Sequence, residues 1–187
     1  MIYTLAGAVD PERGWGLAGE TWATMAALQR FGAETWFRLG DQDMATHLHR
    51  TQRLADGLAL SEVTGEVAKA WGIDIRVLPA TDDRLRTMIT LRPERLPGAR
   101  GSFEGPEEVT FQDYFVKRRH DVPVAAVRLD GQADARPAPG VLDALTDART
   151  VVIAPSNPIV SIAPVLAVPG IRNAVEERRN DVVAISP

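Results

Sequence analysis

The sequence predicts an α/β protein with a mostly parallel sheet covered on both faces by helices, and three observations carry that prediction. Helical and strand-like patterns alternate along the chain, most clearly in its C-terminal half. Two runs, VVIA at 151–154 and VVAIS at 182–186, are apolar at nearly every position, as strands buried on both faces of a sheet are. The 187 residues are 45% hydrophobic and 25% charged, a composition suited to one compact domain over 1–187.

In order along the chain, Trp22, Met25, Leu28 and Phe31 fall near helical spacing over 20–31, with Gly32 closing the segment. Trp36 to Leu39 is short and strand-like. A helix follows from about Asp41, with acids in its first turn and Gly57 beyond its end. LSEVTGEVAKAWG reads as a further helix, with a capping box of imperfect spacing at Ser61 and a clear stop at Gly72. Ile73–Ala80 reads as a strand by alternation and β-branching, and TDDRLRTMITLR as a polar turn leading into another. At 93–108 the density of Pro, Gly and charge predicts a flexible insert. VTFQDYFVKRR has strand or short-helix character, VPVAAVRLD that of a strand, and PGVLDALTDA that of a helix with Pro139 near its first turn. VVIA, a helix over about 164–178 interrupted at Pro169-Gly170, and DVVAIS complete a β-loop-α-β pattern.

The net charge of −4, with 25 acidic against 21 basic residues, gives no reason to expect nucleic-acid binding. The chain has no cysteine, which excludes disulfides, thiolate nucleophiles and Cys-ligated metal sites. No apolar run approaches a membrane span, and the opening residues lack a signal-peptide pattern. A soluble, cytoplasmic protein with no membrane partner is expected, and a homodimer is the commonest assembly for such a chain. Both ends are abrupt: the chain starts inside an apolar segment and stops directly after a strand-like run, as a piece of a larger fold would.

PSNPIVS, 155–161, follows VVIA and so falls at the carboxyl edge of an inferred central strand, where open α/β sheets bind ligands. The hydroxyls of Ser156 and Ser161, the Asn157 amide and nearby backbone N–H groups suit phosphate oxygens. A tight strand-to-helix turn capped by Ser and Asn accounts for the same residues equally well.

YTLAGAVDPERGWGLAGETWATM, WFRLGDQDMATHLHRT, LPATDDRLRTM, FQDYFVKRRH and VVIAPSNPIVSIAPVLAVPGIR, in this order over nearly the whole chain, resemble the CofD family of 2-phospho-L-lactate transferases. The resemblance implies a Rossmann-like, three-layer α/β/α fold with a small inserted strand and loop region, truncated at both ends. It also implies a magnesium-dependent enzyme of coenzyme biosynthesis, phosphoenolpyruvate transferase in some bacteria. The group moved is phospholactyl or phosphoenolpyruvyl, the donor is guanosine-diphospho-linked, the acceptor is the deazaflavin Fo, and GMP leaves. The family's glycine-rich GGTGGAK-like start, its Asn-x-Gly-Asp-Asp and Asp-Leu-Asp-Thr segments and its C-terminal continuation are not matched here. The carboxylates that hold magnesium are expected in the N-terminal ones of those segments. Two other readings stand beside this one: a non-catalytic CofD-like regulator that binds a nucleotide sugar, against which PERGWG and RLGDQDMATH argue, and an inactive fragment.

Candidate site residues follow. Trp15, between two glycines, is placed to stack on a flat heterocycle, while Trp22 at helical spacing reads more readily as a core anchor. Asp41 and Asp43 suit a catalytic carboxylate pair or an acidic helix start. His47, four residues beyond Asp43, and Arg50, three beyond His47, share a helix face, where His47 suits a general base and Arg50 a substrate contact. Asp82 lies at a sheet edge or in an Asx turn. Arg118, in the basic run 117–120, suits a diphosphate or a solvated surface.

Overall fold

A computed structural model of the chain describes residues 1–92 and 107–186. The insert expected at 93–108 lies outside the described residues except for Glu107 and Glu108. Two compact units divide the chain, Met1–Pro79 and Ala80–Pro187.

The first unit is helical. Its elements are α1 (Ile2–Leu5), α2 (Ala23–Arg30), α3 (Asp41–Ala55) and α4 (Leu60–Ala70). Helix α2 buries Met25, but the apolar stripe ends there, because Phe31 stands at the C-cap and is 84% exposed. Helix α4 buries Val63, Val67 and Ala68, one face at helical spacing. Its start is half a capping box, set not at Ser61 but at Ala59. The Glu62 carboxylate accepts from the Ala59 N–H at 2.8 Å, and alanine has no side-chain acceptor to return the bond. Arg53 of α3 ties the two helices together with a forked contact to Glu66 of α4, 3.0 Å from Nε and 2.7 Å from Nη2. Neither Trp36–Leu39 nor Ile73–Ala80 forms a strand. A strand needs a ladder partner for its backbone groups, and the second segment is irregular with Val77 buried and Ile75 60% exposed.

The second unit contains β1 (Arg86–Leu91), β2 (Glu108–Thr110), β3 (Val124–Asp130), α5 (Val141–Asp147), β4 (Val151–Ile153), α6 (Ala163–Leu166), α7 (Ile171–Glu177) and β5 (Val182–Ala184). The first three strands form an antiparallel sheet in the order β2-β1-β3. Ile89, Leu91 and Val109 are its buried core, with Phe111, Tyr114 and Val122 packed against them. At the turn following β3, Gly131 has φ +85°, and a Cβ there would meet the Arg84 carbonyl oxygen.

Strands β4 and β5 make the parallel pair expected of VVIA and VVAIS, with Val151 opposite Val182 and Ile153 opposite Ala184. They are not buried on both faces: Val152 is 59%, Val183 52% and Ile185 50% exposed. Between them, a π-helical turn (Pro158–Ile162) runs directly into α6, and the break before α7 falls at Pro169-Gly170 as expected. Arg178 closes α5. Its Nη1 donates to the carbonyls of Leu145 and Thr146 at 2.9 and 2.6 Å.

Candidate functional site

In the first unit, the PERGWG segment is an ordered loop. Asp10 Oδ1 accepts from the N–H groups of Glu12 and Arg13 at 2.9 and 3.0 Å, and its Oδ2 takes Arg13 Nε and Nη2 at 2.9 and 2.6 Å. This fixes Arg13 with its guanidinium 5.4 Å from the Trp15 ring centroid and 5.8 Å from that of Trp22. Arg38 covers Trp22 again at 4.8 Å. Gly14 and Gly16 both take left-handed φ values, 72° and 71°, which a side chain would resist, and they hold Trp15 out from the loop at 63% exposure. Trp15 thus presents an indole face to solvent at the end of a cation–π tier. Trp22 is half-buried between two guanidinium groups rather than in an apolar core.

Two carboxylates cap two helices crosswise. Glu20, upstream of α2, accepts from the first-turn amides of α3, Gln42 at 3.1 Å and Asp43 at 3.0 Å. Asp41, in the first turn of α3, accepts from the start of α2: Ala23 N–H at 3.1 Å, Thr24 N–H at 2.9 Å and the Thr21 hydroxyl at 2.5 Å. The Thr21 hydroxyl and then the Thr24 amide pull the Asp41 carboxyl down to a pKa of about 2. A Cβ at Gly40 would land on the Glu20 carboxylate and push it off the α3 amides.

Asp43 faces elsewhere. Its Oδ1 accepts from the Tyr3 hydroxyl at 2.5 Å, and that hydroxyl also lies 3.4 Å from Thr46 Oγ1. Burial first and the Asp43 carboxylate second push the Tyr3 pKa up to about 12. The Tyr3 ring meets Trp71 edge-on at 5.3 Å. One turn along α3, Arg50 Nη2 lies 2.6 Å from His47 Nδ1. Burial and then the Arg50 charge hold His47 below the ordinary imidazole range, while Asp43 opposes them. A neutral ring with a guanidinium donor on Nδ1 carries its own proton on Nε2. His47 therefore offers an N–H donor in this arrangement, and base chemistry at Nδ1 requires Arg50 to move. His49, given no role from sequence, pairs with Glu66 at 3.2 Å.

Three of the sequence candidates, Asp43, His47 and Arg50, do share one face of α3. Tyr3, Glu20, Arg13 and Arg38 were missed. An apolar opening hides Tyr3, and nothing local ties Glu20 to a helix that starts 21 residues later.

In the second unit, Asn157 Oδ1 accepts from its own turn, Ile159 N–H at 2.9 Å and Val160 N–H at 3.1 Å. Those two amides are consumed. The Asn157 NH₂ and the hydroxyls of Ser156 and Ser161 are the polar groups that PSNPIVS retains for a ligand. Ser161 is exposed and Ser156 half-buried. Asp82 is half-buried in the turn before β1, where Thr81 Oγ1 accepts from Asp83 N–H at 3.0 Å and Asp83 accepts from Arg136 N–H at 2.8 Å. Arg118 spends its fork within the fold: Nε on Asp113 at 3.0 Å, Nη1 and Nη2 on Glu107 at 3.0 and 2.5 Å. A diphosphate contact from Arg118 would have to displace Glu107.

Among the described residues no group of three or more His, Asp or Glu side chains converges where a metal ion could be held. The oxygens of Asp41 are already taken by α2. The described residues therefore do not form a magnesium site.

Solved structures of a UPF0052-family protein from Bacillus halodurans match the fold, one with a TM-score of 0.55 at 17% identity over 94% of this chain and 48% of that one. This shows the Rossmann-like α/β fold. Among curated proteins, phosphoenolpyruvate transferases of Kitasatospora aureofaciens and Mycobacterium tuberculosis are each 42% identical over the whole of this chain. That of Nocardia farcinica is 42% identical over 99% of it. The chain spans 56%, 54% and 54% of those relatives' lengths, respectively. The family profile described as 2-phospho-L-lactate transferase CofD matches residues 1–187, every position of the sequence, and the chain belongs to that family.

Proposed function

We propose that the protein, in its whole form, transfers a phosphoenolpyruvyl or phospholactyl group from a guanosine-diphospho-linked donor to the deazaflavin Fo. A hydroxyl oxygen of Fo attacks the phosphorus next to the three-carbon acid and a phosphodiester forms. The bond from that phosphorus to the bridging oxygen breaks, GMP leaves with the bridging oxygen, and the hydroxyl proton passes to a base. Such a reaction needs alignment and donors for the developing charge more than it needs covalent help from the protein. The observation that carries the reading is the 42% identity to phosphoenolpyruvate transferases across the full chain, which includes the segments that build the Trp15 tier and the α3 face.

In this reading Trp15 stacks on the deazaflavin ring. Arg50 moves from His47 to a phosphate oxygen, which frees Nδ1 of His47 to take the acceptor proton while Nε2–H remains a donor. Asp43 orients the hydroxyl. In the second unit, taken by itself, the Asn157 amide with Ser156 and Ser161 offers donors for phosphate. Asp41 holds the start of α2 so that Trp22 stays in its tier. Magnesium is the proposed cofactor, held by carboxylates of the family's N-terminal segments that this sequence does not match.

Titration of the chain with Fo, followed by the deazaflavin's own fluorescence with and without magnesium, tests the reading. Saturable binding is expected. Absence of binding by a folded chain would remove the acceptor site from Trp15 and α3. Saturable binding of a nucleotide sugar in place of Fo would favour the regulator reading.

A further inference from the structure

A cavity of about 480 Å³ lies within the second unit, between the start of β1, the end of β2 and Val160 of the PSNPIVS loop. Its polar lining consists of Arg86, Thr87, Thr110 and Gln112, and its apolar walls are Leu85, Phe111 and Val160. No acidic residue is among the described residues that line it.

Arg86 is the group that calls for a ligand. Register places Asp130 of β3 opposite it, but that carboxylate already takes Arg128 Nη1 at 2.8 Å. Arg128 in turn holds Glu108 with Nε at 3.1 Å and Nη2 at 2.9 Å, so the hydrogen bonds of both neighbouring acids go to Arg128, and Arg86, exposed on the strand, acts on Asp130 only through its charge. Thr110 Oγ1 accepts from Asp113 N–H at 3.2 Å, which leaves its own proton to donate. Phe111 is fixed as a wall by stacking on Phe115 at 5.4 Å, with 21° between the planes. A guanidinium fork, hydroxyl and amide donors and a rigid apolar wall, with no carboxylate in the described lining, select a carboxylate borne on a small apolar body.

Building on the proposed transfer reaction, we infer that this cavity is the subsite for the three-carbon acid of the donor. Arg86 grips the carboxylate, Thr110, on the same face of the sheet, donates to its oxygens, and the carbon skeleton lies against Phe111 and Val160. This puts the acid end of the donor beside the same loop whose Asn157 and Ser161 are assigned to phosphate.

Calorimetric titration of the chain with phosphoenolpyruvate, and separately with inorganic phosphate, tests the subsite without Fo. Saturable binding of phosphoenolpyruvate is expected, with phosphate binding more weakly. Arg86→Gln should weaken phosphoenolpyruvate by roughly tenfold or more, the loss expected of a charge-assisted fork, while Arg84→Gln, outside the lining, leaves it unchanged. Far-ultraviolet circular dichroism of both variants checks that the antiparallel sheet is intact. Equal affinity in Arg86→Gln, an equal loss in Arg84→Gln, phosphate binding as tightly as phosphoenolpyruvate, or no binding by the folded chain would each overturn the subsite. These outcomes are separate from the Fo titration: Fo binding without phosphoenolpyruvate binding rejects the subsite alone, and the converse rejects the acceptor site alone.

Discussion

Glu20 and Asp41 each cap the helix to which the other is adjacent in sequence. The carboxylate before α2 serves α3, and the carboxylate in α3 serves α2. A local cap fixes one helix end; this exchange fixes two helices relative to each other, and with them the start of α2, where Trp22 stands.

Acid should loosen this crossing. The Asp41 pKa in the fold, about 2, lies below its ordinary 3.8. Its contribution is therefore complete above the ordinary value and is lost as pH falls through about 2. Asp41→Asn should lower helix stability at neutral pH and flatten the acid limb of a circular-dichroism titration. An unchanged acid limb would show that the crossed caps contribute nothing.

Alkali should act at Tyr3. Its pKa is raised from 10.0 to about 12, so the stabilisation is full below the ordinary value and disappears as pH rises through about 12. With two tyrosines in the chain, an ultraviolet absorbance titration should resolve one ordinary and one late ionisation, and Tyr3→Phe should remove the late one.

His47 should titrate below the ordinary imidazole range, because burial and then Arg50 disfavour its charged form. Whatever stability the neutral ring supplies is present above the ordinary pKa and lost as pH falls below it. Arg50→Ala should move the His47 titration upward in a nuclear magnetic resonance pH series. Nitrogen shifts of the wild-type ring should report the proton on Nε2.

Trp15→Ala should weaken Fo binding by roughly tenfold, since stacking on an aromatic ring is worth about 1–3 kcal/mol to a flat heterocycle. Trp15→Phe should recover most of the loss. Equal binding by the alanine variant would take the ring off this tier.

Gly131→Ala should destabilise the antiparallel sheet by about 1–3 kcal/mol, because it forces an L side chain into positive φ and against a backbone oxygen. Denaturant unfolding measures this directly.

Much of the helical unit was legible in the sequence. Helices α2, α3 and α4 announce themselves through spacing, first-turn acids and closing glycines, all local signals. The use of Asp41 was not legible, because its partners lie 17 to 20 positions upstream and only the packing of α2 against α3 brings them to it. The same holds for Asp43, whose hydroxyl partner is 40 positions away. The α3 face of Asp43, His47 and Arg50 was visible as periodicity, but the direction of the Arg50 to His47 hydrogen bond belongs to side-chain conformation. Ile73–Ala80 has the composition of a strand, yet composition does not supply a ladder partner. For Arg118, residue type was read correctly as an anion binder; the anions turned out to be Glu107 and Asp113.

The parallel pair β4–β5 has a practical consequence. Two strands alone are marginally stable in water, and parallel strands are ordinarily covered on both faces. Here Val152, Val183 and Ile185 are each half or more exposed. At the concentrations used for crystallisation or calorimetry, this pair would act as an adhesive patch. Added salt should drive the chain toward precipitation, and mild detergent should keep it dispersed. These three aliphatic side chains would then add to the other exposed apolar side chains in opposing the solubility that net charge confers.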